Sequence, residues 1–418
     1  MTLARRQPLA ADALLQFFAP CPRGLEETLV RELQSLGAGN LRNVPGGVHF
    51  EGDALLGMRA NLESRLASRI LQRVAQGAYR SEEDLYRLAH DTPWEQWHEA
   101  TTSLRIDVTG VGAPVRSLQF AMLRVKDGMV DRLRERCGDR PSIERQRPDR
   151  RVFVFLDAQQ CILYLDWSGE SLFKRGWRRE GFDAPLKENL ASGLLALSGW
   201  TPEQVLLDPF CGSGTIAIEA ALQAAGVAPG ARRRFGFERM KGFDRARWDR
   251  LRSQPTQARP AVPTIFASDV SEAALAAARS NYARTGLPEG WIQWRQRDAL
   301  HIDAAPASSG LLLSNPPYGE RLEIKGRQSL AQADAFWPAL GTMLKQRFAG
   351  WTVALFTSDL EVGQRMRLKP SRRTPLFNGA LECRLFRFEM VAGSARKPQA
   401  QSAGDTPKAQ TMPSDSVP

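Results

Sequence analysis

Apolar positions along the first part of the chain change repeatedly between helical and strand spacing. Leucines recur every three or four residues from Leu25 to Leu36, which places them on one face of a helix that stops at Gly37. Apolar and polar residues alternate from Leu104 to Val108, as in a half-buried strand, and residues 151–169 suit a hairpin. The pattern predicts an α+β region built from short units.

Two helices in this region carry recognisable boundary signals. Ser81 followed by Asp84 predicts a capping box at a helix start. A long amphipathic pattern runs from residue 117 and predicts a helix that ends at Gly138. The two signals fix where the longest elements of the first half begin or end.

From about residue 186 the pattern becomes a regular alternation of apolar strands with helices. Strand-like segments include "QVLLDPF", "TIFASDV", "GLLLSNPPY" and "WTVALFTSD", and a helix is expected near 328–347. Such alternation predicts a mostly parallel sheet covered on both faces, an α/β Rossmann-like domain. A basic, Pro- and Trp-containing insertion at 227–263 interrupts it, and residues 394–418 are biased in composition and predicted to be a disordered tail.

Bulk composition then narrows the class of protein. The 418 residues suffice for two or three domains, and no apolar run approaches the roughly 18 residues of a membrane span. Five scattered cysteines without a CxxC pair, together with only four histidines, favour neither a disulfide framework nor a metal site. No secretion signal is apparent at the N-terminus, so we expect a cytoplasmic protein; the oligomeric state stays open.

Charge adds a partner class. The formal net charge is +11, and arginine dominates two stretches. Residues 132–151 contain eight arginines against four acids, and residues 232–252 contain eight arginines and one lysine against three acids. Because arginine pairs well with phosphate, these stretches predict contact with RNA or DNA.

The segment "VLLDPFCGSGTIAIEAA" (205–221) predicts a strand, a glycine turn and a helix. Gly212 and Gly214 allow close backbone approach to a ligand, and with Ala217 they also fit a dinucleotide fingerprint, so hydride transfer is an alternative at this point. Asp208 disfavours it, because a carboxylate would repel a pyrophosphate but hold the amine of S-adenosylmethionine. Asp269, at the next strand end, would bind the ribose hydroxyls of that cofactor.

Two further strand ends complete the predicted crevice. Asp298 would accept from the adenine amine, although a single Asp there also suits a helix cap. In "NPPY", the Asn315 side-chain oxygen and the Pro316 carbonyl would hold an exocyclic amine of a nucleobase, and Tyr318 would stack on that base. A rigid turn without chemistry is the alternative.

These residues resemble the bacterial 23S ribosomal RNA guanine-N2 methyltransferases that carry an N-terminal THUMP region. The resemblance runs from Phe17 to about Val391 and rests on segments such as "CPRGLEETLVRELQSLGA", "AMLRVKDGMVDRL", "APLKENLA", "DPFCGSGTIAIEAA" and "LLSNPPYGERL". It implies S-adenosylmethionine as cofactor, an RNA partner without membrane or metal, and one reaction, since the chain shows no second methyltransferase domain.

The resemblance also implies a domain division and further site residues. It predicts a ferredoxin-like domain at 14–55 completed by 168–184, a THUMP domain at 56–167 and a methyltransferase domain at 185–393. The residues that it implies in the cofactor pocket are Pro185, Leu186, Lys187, Asp208, Phe210, Gly212, Gly214, Asp269 and Asp298. It places Asn315, Pro316 and Tyr318 at the target base.

Other reactions stay open at this point. The RNA could be transfer RNA, since THUMP regions are associated with its ends. Other NPPY enzymes modify adenine N6 or a glutamine amide, and the arginine-rich N-terminal half disfavours the protein substrate. A non-catalytic RNA-binding assembly factor is the remaining alternative, which the intact Asp208, glycines and "NPPY" disfavour.

Overall fold

A computed structural model describes residues 13–99, 101–178, 186–254, 261–317 and 330–391. These residues form two seven-stranded sheets, one before and one after residue 186. We call them the N-terminal sheet and the C-terminal sheet. The predicted tail at 394–418 lies outside the described residues.

The N-terminal sheet has the strand order β2-β3-β1-β4-β7-β6-β5. Only β5 and β6 are parallel neighbours within it. Its strands are β1 (Leu15–Pro20), β2 (Gly39–Val44), β3 (Gly47–Gly52), β4 (Leu71–Ala78), β5 (Leu104–Gly110), β6 (Arg150–Leu156) and β7 (Gln160–Asp166). Its helices are α1 (Glu26–Ser35), α2 (Ala54–Glu63), α3 (Glu82–Asp91) and α4 (Leu118–Cys137).

Hydrogen bonding in this sheet continues across the predicted border between the ferredoxin-like and THUMP units. Strands β1 and β4 pair through Phe17↔Gln72 and Phe18↔Leu71. Phe17 also meets Trp167 edge-on at 5.2 Å, and the Trp167 indole donates a 2.9 Å hydrogen bond to Gln72. The two units therefore share one sheet and one apolar core, while the border at residues 55 and 56 stays a prediction.

The C-terminal sheet confirms the predicted α/β class. Its order is β10-β9-β8-β11-β12-β14-β13, and the five strands from β10 to β12 are parallel. Its strands are β8 (Leu206–Asp208), β9 (Ile265–Asp269), β10 (Ile292–Gln296), β11 (Gly310–Ser314), β12 (Trp351–Thr357), β13 (Arg372–Asn378) and β14 (Leu381–Glu389). Its helices are α5 (Glu188–Ser198), α6 (Thr215–Ala224), α7 (Arg245–Ser253), α8 (Glu272–Ala283), α9 (Leu330–Arg347) and α10 (Val362–Arg365).

The local signals read from the sequence are confirmed. Ser81 and Asp84 form the capping box of α3, and Gly138 ends α4 in the left-handed region at a φ of 79°. The hairpin β13–β14 was not predicted. It adds two antiparallel strands beyond β12, because β14 inserts between β12 and β13.

The insertion at 227–263 packs around its own aromatic residues. It contains a short 3-10 helix, Gly236–Arg239, and then α7. Trp248 of α7 is fully buried and meets the stacked rings of Phe235 and Phe237 edge-on at 5.6 and 4.9 Å. The arginines of this insertion are therefore carried on a packed support.

The described ranges contain neither a candidate membrane span nor a candidate metal site. None of their helices combines the length and apolarity that crossing a membrane requires. Within the same ranges, no group of three or more His, Cys, Asp or Glu side chains could hold a metal ion.

Candidate active site

The candidate site lies at the edge of the C-terminal sheet where the parallel strands end. Asp208 and Asp269 are the last residues of the neighbouring strands β8 and β9, and Asn315 follows the last residue of β11. Strand β8 lies between β9 and β11. The next strand in the sequence, β9, pairs on one side of β8, and the later strand β11 pairs on the other side, so the strand order reverses at β8. A crevice outside this point is where open α/β sheets bind ligands.

The glycine turn after β8 is fastened to the next strand. The Gly212 N–H donates to Asp269 Oδ2 at 2.9 Å, and the Cys211 N–H donates to the Ser268 carbonyl at 2.9 Å. The second carboxylate oxygen of Asp269 accepts from Ser271 N–H at 3.0 Å, at the start of α8. Asp269, which is 3% exposed, thus fixes the turn and the following helix together.

The two glycines of the turn serve different purposes. Both have left-handed φ angles, 53° at Gly212 and 84° at Gly214. A Cβ on Gly214 would lie 2.9 Å from Trp294 and 3.1 Å from Ala278, so close packing requires a residue without a side chain here. A Cβ on Gly212 would meet nothing within 4 Å. Gly212 therefore borders open space, where a ligand can approach the backbone.

Asp208 is tied to the strand that carries the "NPPY" segment. Its carboxylate is 1% exposed and accepts hydrogen bonds from the Ser314 hydroxyl and, at 3.3 Å, from the Phe210 N–H. Because Ser314 directly precedes Asn315, this contact links the end of β8 to the predicted base-binding residues.

The side-chain oxygen of Asn315 is buried without a donor. No described residue donates a hydrogen bond to Asn315 Oδ1. Pro316, which follows, is also buried and has no N–H of its own. A buried acceptor without a partner costs about 1–3 kcal/mol, so it is expected where a ligand supplies the missing donor. Tyr318 lies outside the described residues.

Asp298 and Phe210 stand at the margins of the crevice. Asp298 follows β10 and caps the short 3-10 helix Ala299–His301, accepting from the Leu300 N–H at 3.0 Å. Phe210 is half-buried and meets Phe336 edge-on at 5.8 Å. The capping role of Asp298 matches the structural alternative given from the sequence, and its contact with adenine stays a prediction.

Arg178, which the sequence analysis did not single out, joins three segments beside the glycine turn. Its guanidinium donates to Glu188 Oε1 at 2.8 Å and to the Leu186 carbonyl at 3.2 Å. It also donates to the hydroxyls of Ser213 at 3.0 Å and Thr215 at 2.8 Å, at the start of α6. The segment after the N-terminal sheet is thereby connected to the proposed cofactor turn.

The remaining residues implied around the pocket divide into three cases. Pro185 lies outside the described residues. Leu186 is buried and offers its carbonyl to Arg178. Lys187 is exposed, with its ammonium 5.1 Å from the centre of the Phe173 ring. Burial raises the pKa of Glu188, the next residue, while Arg178 opposes that rise. Roles for these residues at the cofactor stay predictions.

Ser213, Ser314, Arg178 and Glu188 are thus the site residues that sequence reasoning missed. Two of them had a signal, since Ser213 lies inside the glycine turn and Ser314 directly precedes "NPPY". The pairing of Arg178 with the turn had none, because it joins residues 35 and 37 positions apart through a tertiary contact.

Comparison with protein-family models gives three consecutive matches. Residues 16–71 match the RlmL ferredoxin-like domain, residues 79–166 match the THUMP domain, and residues 175–387 match the RMKL-like methyltransferase domain. The last match covers just over half of the chain.

Similar curated proteins carry the name ribosomal RNA large subunit methyltransferase K/L. The protein from Syntrophotalea carbinolica is 39% identical over 393 residues, which are 91% of this chain and 54% of the relative. The protein from Shewanella pealeana is 39% identical over 392 residues, 92% of this chain and 54% of the relative. The chain therefore spans about half the length of the curated relatives it matches.

Solved structures give the same fold. SMU.472, a candidate methyltransferase crystallised with SAH, is 27% identical with a TM-score of 0.81 and covers 91% of this chain and 99% of its own. A possible methylase from Clostridium difficile 630 is 26% identical with a TM-score of 0.81, covering 92% and 100%. A protein from Listeria monocytogenes, named as an N6-adenine-specific DNA methylase by prediction, is 27% identical with a TM-score of 0.80, covering 90% and 97%.

Proposed function

Because the chain belongs to the family of the RMKL-like methyltransferase domain, we propose that it methylates the exocyclic N2 amine of a guanine in 23S ribosomal RNA. The methyl donor is S-adenosylmethionine. An enzyme acting on that RNA works where ribosomes are assembled, so the proposal includes a cytoplasmic location.

The crevice has the donors and acceptors that the cofactor requires. The open space at Gly212 admits a ligand against the turn, and the start of α6 offers backbone N–H groups to its carboxylate. Asp208 provides a buried carboxylate for the amine, while Asp269 and Asp298 provide acceptors for the ribose and the adenine. The cofactor supplies an electrophilic methyl carbon on a sulfonium.

Asn315 and Pro316 act on the other reactant. The exocyclic amine of guanine is a weak nucleophile because its lone pair is delocalised into the ring. Acceptance of its two N–H groups by Asn315 Oδ1 and the Pro316 carbonyl would direct the lone pair at the methyl carbon and stabilise the positive charge that develops on nitrogen. Asn315 is neutral, so it orients the amine without acting as a strong base.

The observation that carries this proposal is the buried, partnerless Oδ1 of Asn315 at the end of β11. Ser314, the residue before Asn315, donates a hydrogen bond to Asp208, so the acceptor is fixed in position before any base arrives. Such preorganisation is what makes a hydrogen-bond acceptor effective in a transition state.

The test is nucleoside mass spectrometry on RNA from a strain lacking the gene, separated into ribosomal and transfer fractions. We expect N2-methylguanosine to disappear from 23S ribosomal RNA and to return with the wild-type gene but not with Asn315→Ala. In vitro, Asn315→Ala should lower the methylation rate at least about a hundredfold. Calorimetry with SAH should show unchanged binding to this variant, which establishes that it is folded.

Other outcomes distinguish the alternatives. Loss of N2-methylguanosine from transfer RNA would keep the reaction and replace the substrate. A change in N6-methyladenosine alone would contradict the guanine assignment, as the Listeria similarity makes worth measuring. Absence of SAH binding to the wild-type protein would instead support a non-catalytic RNA-binding factor.

A further inference from the structure

Two arginine-rich stretches that lie far apart in the sequence meet at one cleft. The cleft has a volume of about 900 Å³ and is lined by residues from four segments: 146–151, 169–178, 186–188 and 232–239. The first segment leads into β6 of the N-terminal sheet, and the last belongs to the insertion between α6 and β9. We call it the arginine cleft.

The lining of the arginine cleft is strongly cationic. Its ten basic residues are Arg147, Arg151, Lys174, Arg175, Arg178, Lys187, Arg232, Arg233, Arg234 and Arg239. Its three acids each pair with one of them: Asp149 with Arg239 at 3.0 Å, Glu170 with Lys174 at 3.0 Å and Glu188 with Arg178 at 2.8 Å. A large excess of positive charge is left for a ligand to neutralise.

Arg233 anchors the wall of the cleft. Its guanidinium donates to the carbonyls of Ser168, Glu170, Ser171 and Lys174 at 2.6–3.3 Å. Burial lowers the pKa of Arg233 to about 10, which leaves it cationic at neutral pH. The insertion is thereby held against the segment that follows β7.

Three cations that line the cleft have no acidic partner among the described residues. Arg147, Lys187 and Arg234 are exposed, and within the described ranges none of them forms an ion pair. They come from three of the four segments that line the cleft. A cleft of about 900 Å³ with ten basic residues carries more positive charge than a single phosphate neutralises, so an extended polyanion matches it better, and a concave surface excludes a flat membrane.

We propose that the arginine cleft binds the sugar–phosphate backbone of the substrate RNA, and that Arg147 and Arg234, from two different segments of its lining, contact phosphates. The inference rests on the proposed function only in taking RNA as the substrate. It gives the insertion at 227–263 a role in RNA binding that its position inside the methyltransferase domain does not reveal.

The test compares the double variant Arg147→Ala/Arg234→Ala with wild type by fluorescence anisotropy, using a short labelled single-stranded RNA at several salt concentrations. A control, Arg372→Ala/Arg373→Ala, removes two exposed arginines of β13 that do not line the cleft. The cleft variant should bind about tenfold more weakly at low salt. Its slope of log affinity against log salt should fall by about 1.4, since each phosphate contact contributes about 0.7.

Unfolding midpoints and SAH calorimetry should be the same for all three proteins, because neither pair of arginines contacts the glycine turn. Equal RNA affinity and salt slope in the cleft variant and wild type would overturn the inference. So would an equal loss in the β13 control, which would indicate a non-specific effect of charge. If the cleft variant bound RNA as wild type does and the protein still methylated RNA, the cleft inference would fail and the proposed function would stand. If wild type did not bind SAH but the cleft variant showed the reduced salt slope, the proposed function would fail and the cleft inference would stand.

Discussion

The C-terminal sheet and the N-terminal sheet contain seven strands each, yet they place the polar residues at their strand ends differently. In the C-terminal sheet five parallel strands end at one edge, which brings Asp208, Asp269 and Asn315 together. In the N-terminal sheet nearly all neighbours are antiparallel, so strand ends alternate between two edges. Arg147, in the loop before β6, lines a common cleft with arginines of the insertion. Parallel order concentrates a site, and antiparallel order leaves that task to loops.

The largest expected effect in this comparison is the loss of SAH affinity when the charge of Asp208 is removed and the shape of its side chain is kept. Asp208→Asn retains an oxygen that can accept from Ser314 but removes the charge proposed to hold the cofactor amine. A hydrogen bond to a charged group contributes about 1.5–3 kcal/mol, so SAH should bind about ten- to a hundredfold more weakly. Isothermal calorimetry measures this directly.

Ser314→Ala is the matched control for Asp208→Asn. It deletes the hydrogen bond that Asp208→Asn retains and leaves the Asp208 carboxylate charged. We expect near-normal SAH affinity with a lower unfolding midpoint. If both variants bound SAH as wild type does, Asp208 would be a structural residue that supports β11 and not a cofactor ligand.

This contrast explains what the sequence could predict. The residue at the end of a parallel strand is visible in sequence as the polar residue after an apolar run, and parallel order places several such residues at one edge. Asp208, Asp269 and Asn315 were found in this way. Their hydrogen bonds to Ser314 and to the Gly212 backbone were not, because they depend on the stagger between neighbouring strands.

Contacts between distant segments left no periodic signal. The arginine-rich stretches at 132–151 and 232–252 were visible as composition, but their meeting at one cleft depends on how the insertion packs against residues 168–174. The hairpin β13–β14 was missed because its strands follow the parallel series and reverse direction at the sheet edge. Sequence alone predicted the types of surface and not their juxtaposition.

The second prediction concerns the connection between the two sheets. Arg178→Met removes all four hydrogen bonds to Glu188, Leu186, Ser213 and Thr215. We expect about three- to tenfold weaker SAH binding, with KM for the cofactor raised more than kcat is lowered, because the turn loses its support while Asn315 is untouched. Steady-state methylation kinetics at varied cofactor concentration provide the measurement.

The same change leaves Glu188 buried without its cation, which destabilises the fold by itself. The double variant Arg178→Met/Glu188→Gln removes that buried charge and should recover the unfolding midpoint. A positioning role for Arg178 requires that cofactor affinity stay low in the double variant. Recovery of affinity together with stability would reduce Arg178 to a purely structural residue.

The smallest expected effect at neutral pH is the change in the free energy of unfolding when His98, in the N-terminal region, is replaced. His98 is 1% exposed, and neither ring nitrogen has a hydrogen-bond partner among the described residues. Its ring lies 5.9 Å from that of Trp94. Burial, assisted by the charge of Arg150, lowers the pKa of His98 to about 3. The imidazole therefore serves as an apolar filler, unlike the partnerless oxygen of Asn315 at the open crevice.

His98→Phe should accordingly change the free energy of unfolding at pH 7 by less than about 1 kcal/mol. Below pH 6.5 the unfolded chain takes up a proton at His98 that the folded protein refuses until about pH 3. Wild type therefore loses up to about 1.4 kcal/mol per pH unit in that window, and the variant is spared this contribution. Urea titrations at pH 7 and pH 5 measure the difference. Parallel pH dependence in the two proteins would show that His98 is protonated inside the fold, so that this buried ring would have a partner and a role.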